Sequence, residues 1–154
     1  MIYDDTRQFL ESVRRTQEAL AAAEGRVEAL RCAATRTTTA WSEAPGGGGD
    51  VHKDGLVAAL ADAESACEEA RAQAAIAVQA VSAFLARLPG NTCQQLLYLR
   101  YVALLPWGQV EEHLRKQGIY YSARHITRLH GQALNAARRL RQAEKKDDGK
   151  ERDA

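Results

Sequence analysis

Small and apolar residues recur at alternating steps of four and three along two stretches of this chain. The first set is Ile2, Thr6, Phe9, Val13, Thr16, Leu20, Ala23, Val27, Leu30 and Ala34. The second is Leu56, Leu60, Ala63, Cys67, Ala70, Ala74, Ala77, Val81, Phe84 and Leu88. Neither set contains a charged residue, which is the heptad signature of a helix that hides one seam against a partner. Two long helices are therefore predicted, each of about 33 residues and roughly 50 Å. Between them, "TRTTTAWSEAPGGGGDVHKD" breaks the pattern. Proline removes a backbone donor and a run of glycines raises the entropy cost of order, so a flexible connector is expected near residues 35–55.

The simplest packing of two such helices is an antiparallel hairpin over residues 1–88. Small residues in the second seam, from Ala63 to Ala77, let a partner backbone come close. They also bury little apolar area. The hairpin is therefore expected to need another surface: either it self-associates, with Ile76 and Val78 as apolar footholds off the seam, or it packs only on itself and its own second domain.

"RLPGNTCQQ" then interrupts the helical pattern, and a domain boundary is placed at 89–91. Thr92 followed by Gln95 fits a capping box opening a helix that runs to about Leu104, before Pro106. A second short helix, Trp107 to about Gln117, carries Trp107, Val110 and Leu114 on one face. "QGIYYS" makes the turn, with Gly118 free to adopt a left-handed conformation and Ser122 a natural N-cap. A third helix starts at Ala123. Tyr98, Tyr101, Leu104 and Trp107 read as core residues of this second domain, residues 89–146, and His130 reads as a packed, hydrogen-bonded histidine. Residues 147–154 read as a frayed, charged tail.

On a helical wheel of the third helix, Ile126, Leu129, Ala133, Ala136, Ala137 and Leu140 share one stripe about 100° wide. The opposite side collects Arg124, Arg128, Gly131, Asn135, Arg138 and Arg139, with Thr127 and Gln132 at its margins. No acid occurs between Ala123 and Ala143. A merely solvated face mixes charge signs, which stabilises it through side-chain pairs. Two short helices joined by a glycine turn, the second basic outside and apolar inside, describe a helix-turn-helix. Net charge agrees with that reading. Residues 1–88 hold 9 Lys/Arg and 13 Asp/Glu, whereas residues 89–142 hold 8 and 2, for a net of +6 facing outward to a polyanion.

The remaining chemistry is sparse. A chain that is 45% hydrophobic and 27% charged belongs to a folded protein rather than a disordered tail, and its apolar runs are too short to span a membrane. The opening "MIYDDTRQFL" lacks a signal layout, and three scattered cysteines suit a reducing compartment, so a cytoplasmic location is expected. Cys93, His113, His125 and His130 lack the close paired spacings of a zinc site. Neither Cys67 nor Cys93 has an acid–base constellation around it in sequence, and "PGGGGD" lacks the Lys-Ser/Thr of a phosphate loop. No cofactor and no enzymatic activity are expected.

"LLYLRYVALLPWGQVEEHLRKQGIYYSARHITRLHGQAL", residues 96–134, resembles the fourth-region domain of sigma factors. It is more similar still to phage and prophage regulators of the ArpU and RinA types. The matching elements are Leu99-Arg100-Tyr101, Trp107 with Val110, Tyr121-Ser122, Ile126, Leu129-His130 and Ala133-Leu134. The Pro-Gly-rich break between two long helices is similar to an uncharacterised phage family in the same group. This resemblance implies an all-α protein that binds double-stranded DNA, regulates phage genes, and contacts RNA polymerase. Two positions depart from the pattern. Glu111 stands where a small residue is usual and must tilt outward or disturb the helix pair, and Pro106 stands where a Ser or Thr N-cap is common.

On these grounds Arg124, His125, Thr127 and Arg128 are the expected base-reading residues. Arg100, Arg115, Lys116, Ser122, Arg138 and Arg139 are the expected phosphate contacts, which position a protein without specifying sequence. Two rival functions share the same features. One is a small terminase subunit, which recognises a packaging site and assembles into a ring. The other is a protein-interaction module, an inhibitor or polymerase-binding factor whose basic helix meets an acidic surface.

Overall fold

A computed structural model describes residues 4–41 and 50–152. The fold is all-α, with no strand among the described residues. Helix α1 spans Asp5–Trp41 and α2 spans Asp50–Ala86; α3 spans Asn91–Leu97 and continues as a π-helical segment, Tyr98–Val102; α4 spans Trp107–Lys116 and α5 spans Ala123–Arg152. No described helix is long and apolar enough to cross a membrane. Ile2 and residues 42–49 of the expected connector lie outside the described residues. The flanks of that connector are helical where a loop was expected, from Thr35 to Trp41 and again from Asp50. Threonine costs only about 0.7 kcal/mol against alanine inside a helix, too little to stop one already propagating.

The contacts divide the chain into two compact units. One is Arg15–Ile76 and the other joins Met1–Arg14 to Ala77–Ala154. In the first unit Val27, Ala63 and Cys67 are buried, with Leu20, Ala23, Leu30 and Leu60 packed around them. Arg31 pairs with Glu64 at 3.0 Å and Arg71 with Glu24 at 3.7 Å, so the two segments run antiparallel there. Every described seam position, from Thr6 to Ala34 and from Leu56 to Leu88, is buried or half-buried.

The second unit has two cores. In the larger, Leu10, Val13, Val81, Phe84, Leu85 and Leu88 pack with Leu97, Tyr101, Ala133, Leu134 and Ala137. Phe9 meets Phe84 edge-on, with ring centroids 5.4 Å apart. The sequence break at Pro89-Gly90 is therefore a turn inside one compact unit and does not separate two. The smaller core holds Leu96, Leu99, Val110, Leu114 and Ile126, with Leu105, Ile119, Tyr121 and Leu129 at its edge.

Between these cores the backbone departs from the single helix expected up to Leu104. The α3 helix widens into the π segment, Ala103 N–H donates to the Tyr98 carbonyl at 2.9 Å, and Leu104 adopts φ +56°. A leucine in the left-handed region is strained. The strain has a visible return: Leu104 packs on the larger core while its neighbour Leu105 packs on the smaller. The capping box is also absent. Gly90, at φ +92°, precedes α3 with no side-chain cap, and the Gln95 amide is bonded to Gln117 instead. Gln94 closes this corner by donating to the Ala86 carbonyl at 3.2 Å.

Candidate nucleic-acid interface

The face of interest begins at the N-terminus of α5. Ser122 caps the helix, its Oγ accepting the His125 backbone N–H at 3.2 Å. Before it, Gly118 takes φ +82°, the conformation that lets the chain reverse after α4. Ile126 is buried against Val110 and Leu114 of α4, and Leu129 packs at the edge of the same core. That contact fixes the rotation of α5 about its axis and leaves Arg124, Thr127 and Arg128 exposed. The first turn of α5 contains no acid. A Cβ built on Gly131, further along the exposed side, would meet nothing within 4 Å, so backbone is accessible there.

His125 is half-buried and its ring lies 4.5 Å from that of Tyr121. Arg128 sits 3.0 Å from His125 Nδ1. A guanidinium only donates, so this contact requires Nδ1 to be the unprotonated acceptor. The histidine thus steers Arg128. Thr127 Oγ1 donates to the Ala123 carbonyl at 3.0 Å, which leaves its methyl and oxygen lone pair on the outer surface.

The expected phosphate contacts separate into two groups. Arg139 and Ser122 are exposed. Arg115 and Lys116 are exposed too, each in a local pair one turn back, with Glu111 at 3.1 Å and Glu112 at 3.2 Å. Such exposed pairs contribute little and exchange readily. Glu111 is half-buried and pairs with Arg115 of its own helix. Arg100 and Arg138 are engaged in the fold. Arg100 donates to the Leu105 carbonyl at 3.0 Å and lies 4.8 Å from the Trp107 ring centroid, so it clamps the strained turn. Both oxygens of Asp4 accept from Arg138. Asp4 lies 134 positions away in sequence, so periodicity gave no sign of it.

Two expected core residues are also reassigned. Tyr98 is 46% and Trp107 38% exposed, because the α-to-π transition and the Leu104 turn rotate them outward. Trp107 covers His130 instead, edge-on at 4.8 Å. His130 is bonded to the Tyr101 hydroxyl through Nε2 at 3.1 Å, as a packed histidine should be. Burial pushes its pKa below the ordinary 6.5, and the nearby Arg7 and Arg100 push the same way. Burial raises the Tyr101 phenol, which keeps its proton.

No family model, curated protein or solved structure matches the chain. The functional case rests on this face: an exposed, acid-free cationic helix end whose orientation is set by a buried core beneath it.

Proposed function

We propose that this protein is a sequence-specific DNA-binding regulator of phage or prophage genes, in which α4 and α5 act as a helix-turn-helix of the sigma-region-four type. In this reading α1 and α2 form a helical hairpin, and RNA polymerase is a further partner. The observation that carries it is the exposed trio Arg124, Thr127 and Arg128 on a helix end locked by Ile126. A recognition helix presents its N-terminal residues to the major groove. There an arginine can take a bidentate grip on guanine, worth about 1–3 kcal/mol of discrimination. His125 holds Arg128 in place for that contact. Arg139, about 15 residues beyond Arg124 and so roughly 22 Å along the axis, reaches only the backbone. Arg115, Lys116 and Ser122 supply further phosphate contacts.

The test is selection of a preferred duplex from a random pool, followed by titration of specific and scrambled duplexes at several salt concentrations. Arg124→Ala and Arg128→Ala should lower the ratio of specific to non-specific affinity, by about tenfold or more each. Arg139→Ala should weaken both alike and flatten the salt dependence by about one unit of slope. If both N-terminal arginines can be removed without changing the ratio, the face is not a reader, and a protein partner becomes the better reading.

Self-association is supported by one observation, the 57% exposure of Ile76 off the buried seam. Sedimentation that shows only monomer at high concentration would remove it.

A further inference from the structure

Beyond its reading end, α5 carries a second set of cations in different surroundings. Arg138, Arg141 and Lys145 follow one another at steps of three and four, so they form a row along one flank of the helix. Two carboxylates from α1 and the residue before it cover that row. Asp4 accepts from Arg138 through both oxygens, at 3.2 Å each from Nε. Asp5 Oδ2 accepts from Arg141 at 3.2 Å and from Lys145. Arg138 is braced by Asn135 at 2.7 Å, and the Arg141 guanidinium lies over the Phe9 ring at 4.3 Å. Arg138 and Arg141 are thus pre-positioned by groups other than the carboxylates.

The Lys145–Asp5 pair is exposed, so it adds little to stability and is screened by salt, whereas the Arg138–Asp4 bonds are part-buried. The apolar packing of Leu10 and Val13 against Phe84, Ala133 and Ala137 already holds α1 on this side of the unit. What Asp4 and Asp5 change is the charge presented outward: three cations are faced by two carboxylates. An arginine fork that fits a carboxylate also fits a phosphate, because both offer paired anionic oxygens. We propose that Arg138, Arg141 and Lys145 form a second phosphate-binding row, for the phosphodiester backbone of duplex DNA, which Asp4 and Asp5 occupy as an internal competitor. The duplex as ligand rests on the function proposed above; the masking itself does not. Both carboxylates are held below the ordinary range, Asp4 mainly by its bonds to Arg138 and Asp5 mainly by Lys145, so they stay charged as competitors. The consequence is that non-specific binding is kept weak while the reading end stays open, which raises the contrast between right and wrong sequences.

The experiment uses the full chain with Asp4→Asn and Asp5→Asn together. Asparagine caps a helix as well as aspartate does, so the Arg7 N–H to Asp4 side-chain bond at 3.3 Å has a replacement and the fold is preserved. The variant should bind a scrambled duplex at least about tenfold more tightly at low salt, with the log–log salt slope steeper by about two to three. Inorganic polyphosphate, a probe without sequence, should show the same gain. Adding Arg138→Ala, Arg141→Ala and Lys145→Ala should abolish it. Unchanged affinity for both probes, with an intact circular-dichroism spectrum, overturns the proposal, as does a gain that survives loss of the three cations. A gain on polyphosphate in a protein that prefers no duplex sequence upholds the masked row and instead defeats the reading role of Arg124 and Arg128.

Discussion

His130 shows how one side chain ties α5 to its neighbours in the fold. It lies on α5, bonds to Tyr101 of the π segment, and is covered by Trp107 of α4. Burial and two nearby guanidiniums keep it neutral. In the unfolded chain the imidazole takes up its proton near the ordinary 6.5, while in the folded chain it does so only at lower pH. The stability gained by burying the neutral ring is therefore complete above that value and is lost as the pH falls toward the folded pKa. Urea midpoints should drop between pH 7 and pH 5.5, and His130→Gln should flatten that drop. A midpoint with the same pH dependence in both proteins would show that the ring is not a buried neutral group. The packed role of His130 was legible from its place beside the apolar stripe of α5. The restraint on Arg138 was not, because its partner Asp4 comes from the opposite end of the chain and no local spacing encodes that meeting.

At the scale of elements, periodicity was the reliable guide. The seam of α1 and α2 is buried or half-buried at each described position because a heptad pattern is a local property, fixed by helix geometry before any partner is known. Leu10 and Leu85 were not on the seam, yet they are 0% and 2% exposed. They form an additional buried stripe that faces α3 and α5, and only the tertiary fold creates it. The π segment and the left-handed Leu104 escaped for a related reason: adjacent leucines serve two cores, and satisfying both outweighs the preference for a regular helix. The small residues of the seam make a sharper claim. Ala63 is buried beside Val27 and Cys67. Ala63→Leu should overfill the seam there and cost about 1–3 kcal/mol, readable as a lower thermal midpoint. Leucine at the nearby exposed Ala66 should change the midpoint little. Equal responses at the two positions would mean that the seam is not tightly packed.

For the molecule as a whole, the decisive feature is where compactness begins and ends. A reading of charge and punctuation places a boundary at Pro89-Gly90, and charge does change sign there. The core does not follow charge. Leu97, Tyr101, Ala133 and Ala137, from α3, the π segment and α5, are buried against Leu10, Val13, Val81 and Phe84 from the chain before the break. The helix α5, expected to fray beyond residue 146, continues to Arg152, with Glu144 held by Arg87 at 2.8 Å and Lys145 by Asp5. The segment 89–154 taken alone would keep the smaller core around Val110 and Ile126 but expose one whole side of the larger. Expressed as a fragment, it should retain helical circular dichroism yet unfold without a cooperative transition, and its DNA affinity should fall below that of the full chain. A single substitution tests the same dependence within the intact protein. Phe84 is buried in the larger core, on α2, whereas the exposed arginines belong to α5. Phe84→Ala should cost about 3–5 kcal/mol of stability. Where the protein remains folded, at low temperature, the variant should bind DNA normally; near its lowered midpoint, binding and helicity should be lost together. Binding that outlasts the loss of helicity in Phe84→Ala, or a cooperatively folding 89–154 fragment, would show that α4 and α5 stand on their own core.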